Sequence, residues 1–335
     1  MYNIFMNPKL DFLAIGDITT DAFIKLQDAS VHCDVNKENC ELCVRFADKI
    51  PYESVTIVHA VGNASNASVS ASRLGLSSGL VTNIGDDQNG KECLDVLKKE
   101  NVNIDLVTVH KGMPTNYHYV LLYEAERTIL IKHEPYEYKL PSIKTSPSWI
   151  YLSSFRGDDN YLNEITNYFQ THSEIKLAFQ PGKFEINLGY QKLQKIYARS
   201  ELFFCNKEEA QKILETTETD FKKLLTGIHE LGPKIVCITD GPKGAYMYDA
   251  DKYWFHPIYP DPKPPVSRTG AGDAFASTFT TAIILGKSFQ EALRWALVNS
   301  AYVVQQIGAQ KGLLTREQLE KLLEEAPKNY KPVKI

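Results

Sequence analysis

Short apolar runs closed by glycine or a polar loop recur along the chain, and most are followed by a stretch with helical spacing. Asp11 to Gly16 is the first such run and predicts a buried strand. From Gly62 to Gly75 nearly every residue is small, and the run ends in Leu74-Gly75, a helix C-terminal signal. Small side chains predict a helix that packs close to a sheet or a ligand. Leu80 to Ile84 predicts a second strand, Gly85 to Gly90 a polar loop, and Lys91 to Glu100 an amphipathic helix. Strand, loop and helix then alternate again from Trp149: strands over Trp149 to Ser153, Lys176 to Gln180, Leu202 to Cys205 and Ile235 to Thr239, with helices over Asn160 to Phe169 and Asp220 to Glu230. This alternation predicts βαβ units and a mostly parallel central sheet.

Two segments break it. Residues 22 to 60 are polar without a helical repeat, until Tyr52 to Val58 alternates like a strand. Thr115 to Tyr123 and Arg127 to His133 alternate on either side of Glu124-Ala125-Glu126, a hairpin. Together they predict a small β-sheet lid, from about 18–61 and about 112–134, inserted into one α/β domain spanning 1–335. The C-terminal part reads as a buried helix over Ala274 to Leu285, a second over Ser288 to Ile307, and a capped amphipathic helix over Thr315 to Glu325.

Composition narrows the class. With 43% hydrophobic residues in 335, a large core is expected. A net charge of −4 and a pI near 6.1 leave no basic footprint for nucleic acid. No apolar run approaches the ~20 residues of a membrane span, and Met1 to Lys9 has no apolar signal core. A cytoplasmic protein is therefore expected. Six irregularly spaced cysteines do not look like a secreted disulfide framework.

The candidate chemistry centres on Thr269-Gly270-Ala271-Gly272-Asp273 at the start of a buried helix. Free N–H groups and the helix dipole make such a start a site for anionic oxygen. A carboxylate there would repel phosphate, unless Asp273 takes a proton from a hydroxyl while the amides of Ala271, Gly272 and Asp273 hold charge on a transferred phosphoryl group. Asp17 and Asp21 follow the first strand, at the edge where parallel sheets bind ligands, and either hold polyol hydroxyls or are the solvated acids of a turn. Gly62, Asn63 and Asn66 open the small-residue helix and can face sugar hydroxyls. Asn206 and Glu209 form an N-cap and capping-box pair; Glu209 is also a candidate to order water around a magnesium ion. Asp240 to Ala245 is a glycine turn of the kind that lies along a nucleotide or closes a hairpin. Asn299, a lone polar residue in an apolar helix, either faces a nucleobase or is an exposed or packed side chain. Cys33, Cys40 and Cys43, beside His32, are candidate zinc ligands of non-standard spacing, with free thiols in a polar hairpin as the competing reading.

These pieces, in this order, resemble the PfkB (ribokinase) family of carbohydrate kinases over about residues 11 to 325: Gly16 with Asp21, Gly62-Asn63 to Asn66, Gly85-Asp86-Asp87, Asn206 with Glu209, Thr239-x-Gly241-x-x-Gly244-Ala245, and Gly270-Ala271-Gly272-Asp273. The resemblance implies a three-layer α/β/α ribokinase-like fold with a β-sheet lid, and transfer of the ATP γ-phosphoryl group to a hydroxyl of a sugar, with magnesium. It implies Asp273 as base and the Gly270 to Asp273 amides as anion hole. Asn206, Glu209, Thr239, Gly241, Gly244 and Asn299 fall on the nucleotide side, and Asp17, Asp21, Gly62, Asn63 and Asn66 on the acceptor side. The sequence departs from the family pattern in places. Ser267-Arg268 stands where many members carry Asp-Thr, which leaves a monovalent cation open; Arg268 is a candidate fixed charge near the phosphates. Gln180-Pro181-Gly182 replaces a common Asp-x-Asn-x-Arg. The alternative acceptor is a nucleoside, which aromatic residues such as Tyr117, Tyr119 and Tyr123 would favour if they lined the site. A non-catalytic sugar or nucleotide sensor is a third reading, against which the intact Asp273 and glycine loop argue. A lid edge of this kind commonly pairs in a homodimer.

Overall fold

The computed structural model describes residues 9–34, 40–124, 126–260 and 263–335. Met1 to Pro8, on which most of the signal-segment reading rests, and Ala125, part of the expected hairpin connection, lie outside the described residues. In chain order the strands are β1 (Phe12–Ile15), β2 (Thr19–Leu26), β3 (Ser30–Cys33), β4 (Cys40–Cys43), β5 (Tyr52–Val61), β6 (Ser78–Gly85), β7 (Val107–His110), β8 (Tyr117–Tyr123), β9 (Glu126–Leu130), β10 (Trp149–Leu152), β11 (Lys176–Phe179), β12 (Ser200–Asn206), β13 (Ile235–Thr239), β14 (Ala245–Tyr248), β15 (Tyr253–His256) and β16 (Val333–Lys334). The helices are α1 (Asn63–Arg73), α2 (Gln88–Lys99), α3 (Asp159–Thr171), α4 (Lys183–Leu188), α5 (Tyr190–Arg199), α6 (Lys207–Ile213), α7 (Phe221–Glu230), α8 (Ala271–Ile284), α9 (Phe289–Val303) and α10 (Arg316–Glu325).

The main sheet runs β16-β15-β14-β13-β12-β11-β10-β1-β6-β7, parallel from β13 to β7 and antiparallel beyond β13. Strand β1 shows why three layers form. Phe12 and Ala14 join one apolar cluster with residues of α1, α2, α8, α9 and α10. Leu13 and Ile15 join another with α3, α5, α6 and α7. Successive side chains point to opposite faces, so a fully apolar strand needs helices on both sides. The expected three-layer α/β/α arrangement is the one observed.

The second sheet has the order β5-β2-β8-β9, is separate from the main one where the sequence predicts a lid, and lends Asp21, His118, Arg127 and Ile129 to the cavity described below. The polar stretch at 22 to 60 thus contains strands that its composition conceals, including the β3–β4 hairpin. Helix α5 and strands β7, β15 and β16 were also not anticipated. The helix expected over Ser288 to Ile307 ends at Val303.

Helices α1 and α8 position the site. Ala64, Ala67 and Ala71 on α1 and Ala274, Ala276 and Ala282 on α8 are fully buried, as are Ser68, Ser70, Thr278 and Thr281. Side chains this small let the two helices approach closely enough for Ser70 Oγ to meet Thr278 Oγ1 at 3.5 Å. The same packing brings both N-termini to the C-terminal edge of the parallel strands.

Candidate active site

Glycine makes both helix starts. Gly62 caps α1 at φ 117°, and a Cβ there would lie 2.6 Å from Asp17 O. Gly270 caps α8 at φ 85°, and its Cβ would lie 2.6 Å from Ala309 Cα. No other residue fits both the dihedral and the space. Beyond Gly270, the amides of Ala271, Gly272 and Asp273 are in the first turn of a helix and have no partner within it, while the Ala274 amide already bonds Gly270 O at 2.8 Å.

These starts open onto a cavity of about 860 Å³ at the strand ends, beneath the lid. Asp17, Asp21, Gly62, Asn63, Asn66, Asn206, Glu209, Thr239, Gly241, Gly244, Gly270, Ala271, Gly272 and Asp273 all line it. Residues separated by some 250 positions are thus gathered at one site, as expected for ligands held outside the carboxyl ends of parallel strands.

Asp273 is half-buried, and its loss of solvent pushes its pKa up; hydrogen bonds from Asn66 and Gln180 and the charge of Arg127 pull it back. Asn66 Nδ2 donates to Oδ2 at 2.8 Å and Gln180 Nε2 to Oδ1 at 3.2 Å. In the sequence Gln180 stands out only as a departure from a family motif. Its partner is 93 residues away, so no local pattern could reveal its role.

At the lid end, burial raises the Asp17 carboxyl to about 7, although the Tyr138 hydroxyl donates to Oδ1 at 2.9 Å and the Arg156 amide to Oδ2 at 3.0 Å. His133 Nδ1 stands 3.4 Å from Asp17 Oδ2, and His118 Nδ1 stands 3.4 Å from Asp21 Oδ1. Burial, then the charges of His118 and Arg156, lowers His133 to about 4, so at neutral pH it is uncharged, with one donor and one acceptor nitrogen. Asp21 Oδ1, His118 Nε2 and His133 Nδ1 are buried without a hydrogen bond. Neither histidine was singled out from the sequence; both sit in the lid, where only strand alternation was legible. Tyr117, Tyr119 and Tyr123 alternate with His118 along β8 and do not line the cavity.

At the other end, Asn206 and Glu209 form the expected capping box, with Asn206 N donating to Glu209 Oε2 and Glu209 N to Asn206 Oδ1, both at 2.8 Å. Burial raises the Glu209 pKa, opposed by the Asn206 amide and reinforced by the nearby Asp273 charge. An acid with one oxygen held by backbone, on the cavity wall, fits the holding of magnesium-bound water. Arg268 lines the same cavity, 3.8 Å from Glu126 Oε1 and more than half exposed.

Two expectations need correcting. Asn299 does not face a nucleobase. It is fully buried, its Nδ2 donates to Thr278 Oγ1 at 2.8 Å, and its Oδ1 accepts from Leu314 N at 2.9 Å. Both ends of the amide are used in tying α9 to α8 and to the turn before α10; Ser300 and Leu297 reach the cavity instead. The zinc candidates Cys33, Cys40 and Cys43 also do not assemble. Cys33 and Cys40 are directly opposed on β3 and β4 and joined as a disulfide, and among the described residues no group of three His, Cys, Asp or Glu could hold a metal. The competing reading of free thiols holds for Cys43 but not for the bridged pair.

Residues 28–316 match the sequence model described as pfkB family carbohydrate kinase. The chain belongs to that family. Among relatives, it is 24% identical over 263 residues to a nucleoside kinase of Methanothermobacter thermautotrophicus, covering 75% of this chain and 80% of the relative. It is 26% identical over 268 residues to a ribokinase of Bacillus subtilis, covering 78% and 87%. Arabidopsis thaliana ribokinase, solved with ribose and ATP, superposes with a TM-score of 0.77 at 20% identity, covering 95% of this chain and 99% of that one. The ribokinase-like fold, and membership of a kinase family acting on carbohydrates, follow from these matches. No helix among the described residues is long and apolar enough to cross a membrane.

Proposed function

We propose that this pfkB-family chain transfers the γ-phosphoryl group of ATP to a hydroxyl of a sugar, with Asp273 as the base. The observation that carries the reading is the meeting of a half-buried carboxylate and the free N–H groups of α8 in one cavity. The acceptor sits toward Asp17, Asp21, Asn63, His118 and His133, and ATP along Thr239 to Gly244 and Asn206. Asp273 takes the hydroxyl proton as the acceptor oxygen bonds to the γ-phosphorus and the bond to the β–γ bridging oxygen breaks, releasing ADP. The α8 amides hold the charge on the phosphoryl oxygens. Glu209 is placed to hold magnesium through water; when bound, the ion neutralises polyphosphate charge. The lid keeps water from competing as acceptor.

A nucleoside acceptor is the second reading, favoured by the relative named nucleoside kinase. Against it, the lid tyrosines face away from the cavity, while the acceptor end offers carboxylates and imidazoles, which pair with hydroxyl groups. The outer lid face supports a homodimer: Ile57, Tyr119 and Leu130 lie side by side in register with Ala22 and are about half exposed. An ATP-consuming sugar kinase belongs in the cytoplasm.

The test is ³¹P NMR of the chain with ATP, magnesium and a mixture of sugars. The reading predicts loss of the γ signal and growth of a phosphomonoester. Release of inorganic phosphate alone would overturn it.

A further inference from the structure

Asp273 is gripped from two sides, and each grip is itself held. On one side Asn66 Nδ2 donates to Oδ2 at 2.8 Å, and Gln310 Nε2 donates to Asn66 Oδ1 at 3.0 Å. On the other, Gln180 Nε2 donates to Oδ1 at 3.2 Å, and the Tyr151 hydroxyl donates to Gln180 Oε1. A primary amide can turn either its carbonyl or its NH₂ toward a neighbour, and the partner behind it decides which. Gln310 is fixed by a further bond to Ala60 O, and Tyr151 is fully buried with its ring stacked on Phe12. Donors therefore run toward the carboxylate along both branches.

We propose that Gln180, oriented by Tyr151, is a positioning residue that keeps Asp273 ionised in a largely desolvated site, as the counterpart of Asn66 oriented by Gln310. The proposal rests on reading Asp273 as the base. Burial alone would favour the protonated acid, which cannot take a proton from the acceptor. An NH₂ group turned to each oxygen leaves no lone pair to receive a hydrogen bond from the acid proton, and N–H donors bond more strongly to an anion than to a neutral acid, so the clamp stabilises the carboxylate more than the acid. The other charged and titratable groups acting on Asp273 come from three elements. Arg127 on β9 favours ionisation. Glu209 on α6 and the Tyr151 hydroxyl on β10 are also electrostatically coupled to it. Lys183 and Arg268 line the same cavity.

The test is a ¹³C carboxyl NMR titration of the unliganded full chain, with Asp273 assigned by its absence in Asp273→Asn. Gln180→Leu is expected to raise the midpoint of Asp273 by about one pH unit, and Tyr151→Phe to raise it by less. The acid limb of kcat moves the same way, while the KM for ATP stays put. An unmoved midpoint in a folded variant overturns the proposal, as does a kcat lowered equally at every pH. Tyr151→Phe keeps the ring, so it carries the test if Gln180→Leu fails to fold. The titration needs no turnover, so it separates failure of the clamp from failure of the phosphotransfer reading.

Discussion

At the α8 end of the cavity both oxygens of Asp273 accept hydrogen bonds, and the amides that donate them are held in turn. At the lid end both oxygens of Asp17 are held too, but Asp21 Oδ1, His118 Nε2 and His133 Nδ1 are buried without a hydrogen bond, and Asp21 Oδ1 and His133 Nδ1 meet their nearest charged or titratable partners only at 3.4 Å. A buried polar group left unsatisfied costs about 1–3 kcal/mol. Such groups in a native site call for an explanation, and the proposed one is an acceptor hydroxyl that completes them. On the proposed function, the saturated end would present the same base and anion hole to any hydroxyl delivered to it, and the unsaturated end would discriminate, because its donors and acceptors are met only by an acceptor with hydroxyls in matching places.

Substitutions break this contrast in a graded way. The largest effect is expected at the saturated end. Asp273→Asn should lower kcat about 10³-fold or more while ATP affinity, read by calorimetry, holds. At the open end, His118→Ala or Asp21→Ala should raise the acceptor KM by about 10- to 100-fold, equivalent to one or two lost hydrogen bonds, with the KM for ATP unchanged in the same assays. Losses in kcat of the size seen for Asp273 would mean that the lid end takes part in transfer.

Asn299→Ala sharpens the contrast from outside the cavity. It leaves Thr278 Oγ1 and Leu314 N without their present partner, so stability should fall by about 1–3 kcal/mol in chemical denaturation, with ATP affinity as in the parent. Weakened ATP binding at unchanged stability would restore the nucleobase role that the structure removes.

The smallest effect is one of pH. Asp17 titrates near 7 in the folded chain against an ordinary 3.8. Between those values the folded state holds a proton that the unfolded chain has released. The stability this gives is fully present below the ordinary value and is lost as pH rises through 7. Melting curves at pH 5 and pH 8 should therefore lie closer together in Asp17→Asn than in the parent. Glu185, also raised to about 7 by burial, adds a parallel dependence that persists in the variant. An unchanged gap between the curves would place the Asp17 carboxyl outside this window.

The contrast also explains what the sequence disclosed. The core strands show as apolar runs between polar loops, and local caps such as Asn206 with Glu209 and Thr315 with Gln318 are spaced as local motifs must be. The glycine start at Gly270 is legible for the same reason. Strand β2 was hidden because Thr19, Thr20 and Asp21 are buried polar residues in a strand of the lid. His118, His133 and Gln180 acquire their roles only through distant partners. Asn299 misled because one polar residue in an apolar helix carries no mark of the direction it faces.

The most direct measurement is ADP release with magnesium and ATP against a panel of sugars, sugar phosphates and nucleosides, run beside Asp273→Asn. The account predicts turnover with an unphosphorylated sugar and its loss in the variant. Turnover surviving in Asp273→Asn, or silence across the panel while ATP still binds, would contradict it.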